Sequence, residues 1–241
     1  MEVGRLVPFD DIYTALGWPW GETELAIGER RRRNRFPTSA RDIEYELRQF
    51  TDSACTLDVG AQYSPGKAAV VGHGLVFDFD ATDNAAARRA CGCSGAKTYC
   101  AECVLETVQD AFECARRVQR DFYPTATVYV FFSGSKGAHV YVVSEETRKL
   151  CDYERVALVT YVRDVLGLFP DSSVTTDMKH LAKFPYSPHP TTRRMAVCLQ
   201  RPFTDAQELG NVPRLSELAS VSRAELLTRY PLLPISTNDA E

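Results

Sequence analysis

Two aspartates stand two residues apart in a short apolar run, and that spacing is the first sign of chemistry in this sequence. Asp78 and Asp80 alternate with Phe77 and Phe79, and aromatic residues in such a run predict a strand. Side chains alternate between the faces of a strand, so both carboxylates project from one face, about 7 Å apart. Carboxylates held this close repel each other, and divalent cations relieve the repulsion. The pair alone also fits an ordinary strand with one solvent-exposed face.

Four closely spaced cysteines make a second candidate for metal binding. Cys91 and Cys93 form one pair, and Cys100 and Cys103 form the next. Thiolates at such spacings can surround a tetrahedral zinc ion with bonds of about 2.3 Å. Because all four ligands would come from the protein, the zinc would have no open position, and we expect a structural role for a zinc-binding insertion at 91–103. Disulfides are the alternative, but the N-terminus lacks a signal-peptide core, so we expect a reducing compartment.

Two loops carry hydroxyl, cationic and imidazole side chains, an inventory that suits a polyphosphate. The first loop, 133–139, contains two glycines that permit a tight turn, and the second, 180–190, is stiffened by prolines. The candidate donors are Ser133, Ser135, Lys136 and His139 in the first loop, and His180, Lys183, Ser187 and His189 in the second. A plain glycine turn and structural histidines are the alternative interpretations.

An arginine run at 30–35 has two interpretations. Clustered arginines can neutralise successive phosphates of a nucleic acid, or they can form a solvated charged face. The net charge of −4 argues against a uniformly basic surface but leaves local patches open.

Hydrophobic periodicity predicts a mixture of strands and helices. We expect strands at 41–47, 56–63, 73–80, 126–132, 138–143, 174–176 and 195–199. We expect helices at 101–122 and 153–168, one or two helices at 215–230, a short helix that starts at 82–84, and a helical turn at 180–183. This pattern predicts an α+β fold, with helices flanking a mainly antiparallel sheet in one domain spanning 1–241. No apolar run approaches the roughly 20 residues of a membrane span, so we expect an intracellular protein without a membrane partner.

In their order and spacing, the paired aspartates, the cysteines and the two polar loops resemble those of the small catalytic subunit of archaeo-eukaryotic primases. The resemblance covers roughly residues 37–203 and is carried by segments 58–64, 75–83, the cysteines, 132–139 and 171–190. It implies a catalytic core with an RNA-recognition-like sheet and zinc bound beside it. Two departures indicate a divergent, compact relative. Ser135 stands at one of two loop positions that are usually basic in the family, and only a short helical stretch separates 143 from 171, where relatives carry large insertions.

The resemblance also implies roles for particular residues. Asp78, Asp80 and Asp171 would hold two Mg²⁺ or Mn²⁺ ions. The incoming nucleotide would be held by Ser133, Ser135, Lys136, His139, Lys183 and His189, with Arg41 near the site.

The third carboxylate is ambiguous between Asp171 and Asp177 on sequence alone. Asp177 lies three residues before His180 and could cap its helical turn. Asp171 precedes an expected strand start, from which its side chain could reach ions on a neighbouring strand. A third negative charge is needed because two Mg²⁺ ions bring +4 and two aspartates supply only −2. The register implied by the resemblance selects Asp171.

The sequence therefore predicts a DNA-dependent RNA primase that joins ribonucleoside triphosphates on a single-stranded DNA template. It would act at the site of DNA replication, in the nucleus of a eukaryote or in the host cell of a virus. Expected partners are a large primase subunit, a polymerase or a helicase. The alternatives are a primase-polymerase or end-joining polymerase that uses deoxynucleotides, a non-catalytic zinc-containing subunit that binds single strands, and a metal-dependent nuclease.

Overall fold

The computed structural model describes residues 3–28, 31–49, 56–84, 91–93 and 99–236 of the 241-residue chain. The strands are β1 (Thr23–Ile27), β2 (Arg32–Arg35), β3 (Leu57–Tyr63), β4 (Val70–Gly72), β5 (Leu75–Asp80), β6 (Thr127–Phe132), β7 (Gly137–Val143), β8 (Ala182–Lys183) and β9 (Cys198–Leu199). The helices are α1 (Val3–Leu6), α2 (Phe9–Ala15), α3 (Ala40–Leu47), α4 (Ala101–Asp121), α5 (Glu145–Arg148), α6 (Asp152–Thr160), α7 (Ser172–Thr176), α8 (Ala206–Gly210) and α9 (Arg223–Arg229), with a π-helical turn at Tyr161–Val165 and a 3₁₀ helix at Leu215–Ser220.

The strands form two sheets, and each pairing between described strands is antiparallel. One sheet has the order β2-β1-β3-β4, with β8 also paired to β3, and the other has the order β5-β7-β6-β9. The predicted hairpin is confirmed as β6 and β7, and β5 lies at the edge of the second sheet. Gly137 is needed where β7 passes β5, because a Cβ there would lie 1.7 Å from the carbonyl oxygen of Phe79.

The apolar face of β5 packs into the core and thereby turns its aspartates outward. Phe77 and Phe79 are buried, and α4 covers this sheet with the apolar face that its periodicity predicts. The buried residues on that face include Val104, Val108, Ala111, Phe112 and Ala115. Since side chains alternate along a strand, Asp78 and Asp80 occupy the opposite, solvent-accessible face.

An aromatic cluster joins the N-terminal segment to both sheets. Tyr13 stacks on Trp20 with ring centroids 3.6 Å apart, and Trp18 lies against both Phe184 and Tyr141. The hydroxyl of Tyr141, on β7, donates to the carbonyl of Lys183 at 3.0 Å. The cluster therefore fixes β8 of the first sheet beside β7 of the second.

Several sequence predictions of local structure are wrong. Segment 41–47 is helix α3 rather than a strand, because Ile43 and Leu47 are buried at helical spacing while Tyr45 is 68% exposed. Ser39 caps this helix by accepting a hydrogen bond from the main-chain N–H of Asp42. Segment 174–176 lies in α7, and 180–183 is extended and includes β8.

The bounds of other predicted elements also differ in the structure. The strand predicted at 195–199 is confined to β9, and the helix predicted at 153–168 is α6 followed by the π-helical turn. Residues 81–83 form a turn, and the end of the helix expected there lies outside the described residues. The predicted α+β class with a mainly antiparallel sheet is confirmed. None of the described helices has both the length and the apolar character needed to cross a membrane.

Candidate active site

Three aspartates are neighbours at the edge of β5 that faces away from β7. Asp78 and Asp80 are partly exposed on this strand, and the main-chain N–H of Asp171 donates to the carbonyl of Asp78 at 2.7 Å. Asp171 thus lies beside Asp78 on the side opposite β7. Burial and the neighbouring charges of Asp80, Asp171 and Asp78 raise the pKa of Asp83, so a fourth carboxylate lies in the same negative field.

The structure separates the two candidates for the third carboxylate. Asp171 caps α7, since its Oδ1 accepts hydrogen bonds from the N–H of Ser173 at 2.9 Å and from its hydroxyl at 2.7 Å. It begins a helix rather than the expected strand. Asp177 follows α7 and is exposed, and its Oδ1 accepts from the N–H of Lys179 at 2.8 Å. Asp171 therefore occupies the position next to β5, and Asp177 shapes the following turn.

Two side chains of the hairpin contact the two strand aspartates. Lys136 Nζ lies 2.8 Å from Asp80 Oδ2 and donates to the hydroxyl of Thr82 at 2.9 Å. His139 is the cross-strand neighbour of Asp78, and its Nε2 lies 3.2 Å from Asp78 Oδ1. The predicted triphosphate donors therefore face the predicted metal ligands directly.

The hairpin turn is built so that its backbone and hydroxyl groups converge. Ser133 Oγ accepts hydrogen bonds from the N–H groups of Ser135 at 3.3 Å and Gly137 at 3.2 Å. Gly134 adopts a φ of +83°, a left-handed conformation that favours glycine. The two serines and Lys136 line one cleft together with the strand aspartates.

Lys183 and His189 line the same cleft, and His189 lies against the hairpin turn, where a Cβ on Gly134 would be 3.1 Å from the Cβ of His189. Nδ1 of His189 lies 3.2 Å from the N–H of Thr191 and 3.4 Å from that of Thr192, so Nδ1 accepts and Nε2 carries the ring proton. Burial, together with the positive charge of Lys183, lowers the pKa of His189 to about 4. The ring is therefore neutral at pH 7 and offers one N–H.

Two charged residues that line the cleft, Asp58 and Arg31, were not among the predicted metal or nucleotide ligands. Asp58, on β3, is only 4% exposed and lines the cleft. Arg31 Nε lies 3.3 Å from Asp58 Oδ2 and forms an ion pair with it, but the geometry is not that of a hydrogen bond. A charged residue inside the otherwise apolar strand 57–63 was the available signal for Asp58. Arg41, in contrast, is exposed on α3 and is not among the residues lining this cleft, because the segment is a helix that turns it toward solvent.

Much of the arginine run is engaged within the protein. Arg33 Nη2 lies 2.8 Å from Oε2 of Glu24, whose side chain is 1% exposed, and it also donates to the carbonyl of Lys179 at 2.9 Å. Arg35 pairs with Glu46 at 3.6 Å. Residue 30 lies outside the described residues. These contacts join β2 to β1 and to α3, and connect it to the segment before β8.

The four thiols fit a zinc site. The Sγ atoms of Cys91, Cys93, Cys100 and Cys103 all lie within 4.8 Å of one another. Cys100 and Cys103 are 3.7 Å apart, and Cys91 and Cys103, at 2.9 Å, would move apart around an ion. A tetrahedral zinc with 2.3 Å bonds requires sulfur atoms roughly 3.8 Å apart. Hydrogen bonding from the Cys103 thiol lowers the pKa of Cys91 to about 7, which favours the thiolate. Among the described residues, no three carboxylates have oxygen atoms that all lie as close together as these thiols.

The fold and the cleft define the class of protein. An antiparallel edge strand carrying paired aspartates, opposite a basic hairpin turn, occurs here in the primase–polymerase fold. The chain is similar to the polymerase domain of Mycobacterium tuberculosis Ligase D, solved in complex with DNA, with a TM-score of 0.53 and 14% identity over 100% of this chain and 98% of that one.

The sequence comparison points to a particular relative within that class. Over 115 residues the chain is 31% identical to the DNA primase small subunit of Saccharomyces cerevisiae, a match that covers 48% of this chain and 26% of that protein. No family model matches the chain. The predicted resemblance to the archaeo-eukaryotic primase superfamily is confirmed.

Proposed function

We propose that the cleft binds a nucleoside triphosphate and transfers its nucleotidyl group to the 3′-hydroxyl of a nucleotide paired to a DNA template. The observation that carries this proposal is the contact between the two charged sets. The aspartates at the edge of β5 lie within 3.2 Å of basic groups on the neighbouring hairpin. The aspartates suit divalent cations, and the hairpin groups suit phosphate oxygens. A nucleoside triphosphate with bound metal ions contains both kinds of ligand.

The carboxylates of Asp78, Asp80 and Asp171 are hard oxygen donors, which suit Mg²⁺ or Mn²⁺. Two such ions, when bound, would lower the pKa of the attacking hydroxyl and neutralise the triphosphate. The zinc proposed at the four thiols has no open position and would instead fix the start of α4, whose N-cap is Cys100.

The protein's own groups orient the triphosphate. Lys136 acts as a mobile point charge, and on nucleotide binding it would exchange its contact with Asp80 for phosphate oxygens. Lys183, from β8, and the neutral His189, beside the hairpin turn, would also donate to the triphosphate. The hydroxyl oxygen bonds to the α-phosphorus, the bond to the β-phosphate breaks, pyrophosphate leaves and the hydroxyl proton passes to solvent. Positioning and charge neutralisation supply most of the acceleration.

The specific activity that we propose is DNA-dependent synthesis of RNA primers from ribonucleoside triphosphates on single-stranded DNA. Similarity to a DNA primase small subunit supports this choice, and it implies a role at the site of DNA replication beside a large subunit. The second candidate is a polymerase that uses deoxynucleotides. The similarity to a polymerase domain in complex with DNA supports polymerisation on DNA in either case and does not select the sugar of the incoming nucleotide.

Nucleotide choice separates these candidates. The full chain is given a primed single-stranded template with Mg²⁺ or Mn²⁺, and extension by ribonucleotides is compared with extension by deoxynucleotides. A primase extends with ribonucleotides at least as efficiently and also starts chains without a primer. Preference for deoxynucleotides would select the second candidate. Loss of labelled ends without added triphosphate would indicate a nuclease and contradict the proposal.

A further inference from the structure

Arg155, on α6, is the largest side chain that the described core buries completely. Its exposed fraction is 0%, and in the described part of the chain its five hydrogen bonds all go to main-chain carbonyl oxygens. Burying a guanidinium without a paired carboxylate is costly, and an apolar side chain of similar volume often makes a protein more stable. Stability alone therefore gives a poor reason for a charge at this position.

The carbonyls that Arg155 contacts belong to segments on which the proposed site depends. Nη2 donates to the carbonyl of His73 at 2.6 Å, just before β5 begins. Nη1 donates to the carbonyl of Thr175 at 3.3 Å, within α7. Nε donates to the carbonyl of Leu150 at 3.1 Å, in the turn between α5 and α6. One rigid guanidinium thus ties α7 to the start of β5.

Helix α7 needs such attachment. It has five residues, far fewer than the roughly 12–15 that form a stable isolated helix. Its attachments to β5 are the N–H of Asp171 to the carbonyl of Asp78, and the hydroxyl of Thr175 to the carbonyl of Val76 at 2.8 Å. Arg155 holds the other end of the same short helix.

We infer that Arg155 is a positioning residue that sets Asp171 against Asp78, so that the two carboxylates can serve one pair of ions. The inference rests on the proposed function, because the placement of Asp171 beside Asp78 matters only if both bind the catalytic ions. Lysine would not replace it, because a single ammonium cannot span the carbonyls of His73 and Thr175 as a planar fork does. A purely structural arginine would affect folding stability and leave metal binding unchanged.

The test measures Mn²⁺ binding by calorimetry on the zinc-loaded full chain, alongside nucleotide incorporation. The variants are Arg155→Met, Arg155→Lys and Thr175→Val, each studied well below its own melting temperature. The matched control is Gln119→Met, because Gln119 is also buried and donates to a main-chain carbonyl, that of Ala126 at 2.7 Å, but belongs to α4. This control removes a buried hydrogen bond without touching α7 or β5.

We expect Arg155→Met to weaken Mn²⁺ binding about tenfold or more and to lower kcat on the order of 100-fold, the effect of misplacing a catalytic group by about 1 Å. Arg155→Lys should lie between Arg155→Met and wild type, Thr175→Val should weaken Mn²⁺ binding several-fold, and Gln119→Met should match wild type in both measurements.

Three results would overturn the inference. One is Mn²⁺ affinity and kcat equal to wild type in Arg155→Met. Another is equal weakening in Gln119→Met. If Arg155→Met does not fold, unchanged values in both Arg155→Lys and Thr175→Val decide against it. Failure of the proposed function looks different, because wild type itself would then show no Mn²⁺-dependent incorporation.

Discussion

Replacing Asp171 by asparagine should remove catalysis while leaving the fold almost unchanged. Asp171 has two separable functions in this structure. Its Oδ1 caps α7 through Ser173, and its main-chain N–H joins it to Asp78, so that its charge adds to the negative field of the strand aspartates. Asparagine retains a side-chain oxygen at the capping position and loses only the charge, so the substitution tests the second function alone.

The expected magnitudes follow from these contacts. Asparagine and aspartate are about equally good N-caps, so the free energy of unfolding should change by less than about 0.5 kcal/mol. For a chain of this size, that is a change in Tm of at most about 2 °C. Removing one of three negative charges that face two divalent cations should lower kcat by roughly 10³-fold.

The assay is metal-dependent dinucleotide synthesis together with thermal melting, with Asp177→Asn as the matched control. Asp177 is exposed and accepts one hydrogen bond from Lys179, so its variant should keep near-normal activity and lose at most about 1 kcal/mol of stability. An inactive Asp177→Asn with an active Asp171→Asn would show that the wrong carboxylate has been assigned.

Three further predictions concern other parts of the molecule. Freshly reduced protein should contain one zinc per chain, and zinc-free wild type would contradict this. Cys103→Ser should release the zinc and lower the free energy of unfolding by roughly 2 kcal/mol, which corresponds to a decrease in Tm of about 4–8 °C. Arg33→Ala should lower the free energy of unfolding by about 1–3 kcal/mol, because it leaves the buried Glu24 without its cation. Arg32→Ala should lower it by about 0.5 kcal/mol or less. It should also reduce the slope of log template affinity against log salt by the equivalent of about one phosphate contact. Burial raises the pKa of Glu24, but hydrogen bonds from Arg33 and Asn34 outweigh burial and hold it below its ordinary 4.5. The stability that this pair contributes is therefore present above about pH 4.5 and lost as pH falls, and Arg33→Ala should flatten that fall in urea titrations. Lys136→Ala should raise the nucleotide KM more than it weakens template binding, and the reverse pattern would place Lys136 on the template.

The elements with strong periodic signals were predictable from the sequence. Helix α4 repeats apolar residues over 21 positions, and the hairpin of β6 and β7 is an apolar pair of strands around a glycine turn. The position of Asp78 and Asp80 on one face of β5 followed from the alternation of side chains along a strand. The contacts of Lys136 and His139 with these aspartates then follow from the register of the hairpin against that strand.

The remaining features depend on long-range contacts that sequence does not contain. Segment 41–47 alternates apolar residues with a period of two, yet burial of Ile43 and Leu47 against other elements makes it a helix. Strand β8 has two residues and exists only because β3 pairs with it. The burial of Arg155 depends on carbonyl groups from five separate positions, and nothing near it in the sequence signals that environment.

The most direct test of the account is synthesis without a primer. Wild-type protein and Asp78→Asn are incubated with a homopolymer single strand, the complementary ribonucleoside triphosphate, and Mg²⁺ or Mn²⁺, and dinucleotides are quantified while melting verifies the fold. The account predicts metal-dependent dinucleotides from wild type and roughly 10³-fold less from Asp78→Asn at unchanged Tm. Equal synthesis by both proteins, or none by wild type with either metal, would contradict it.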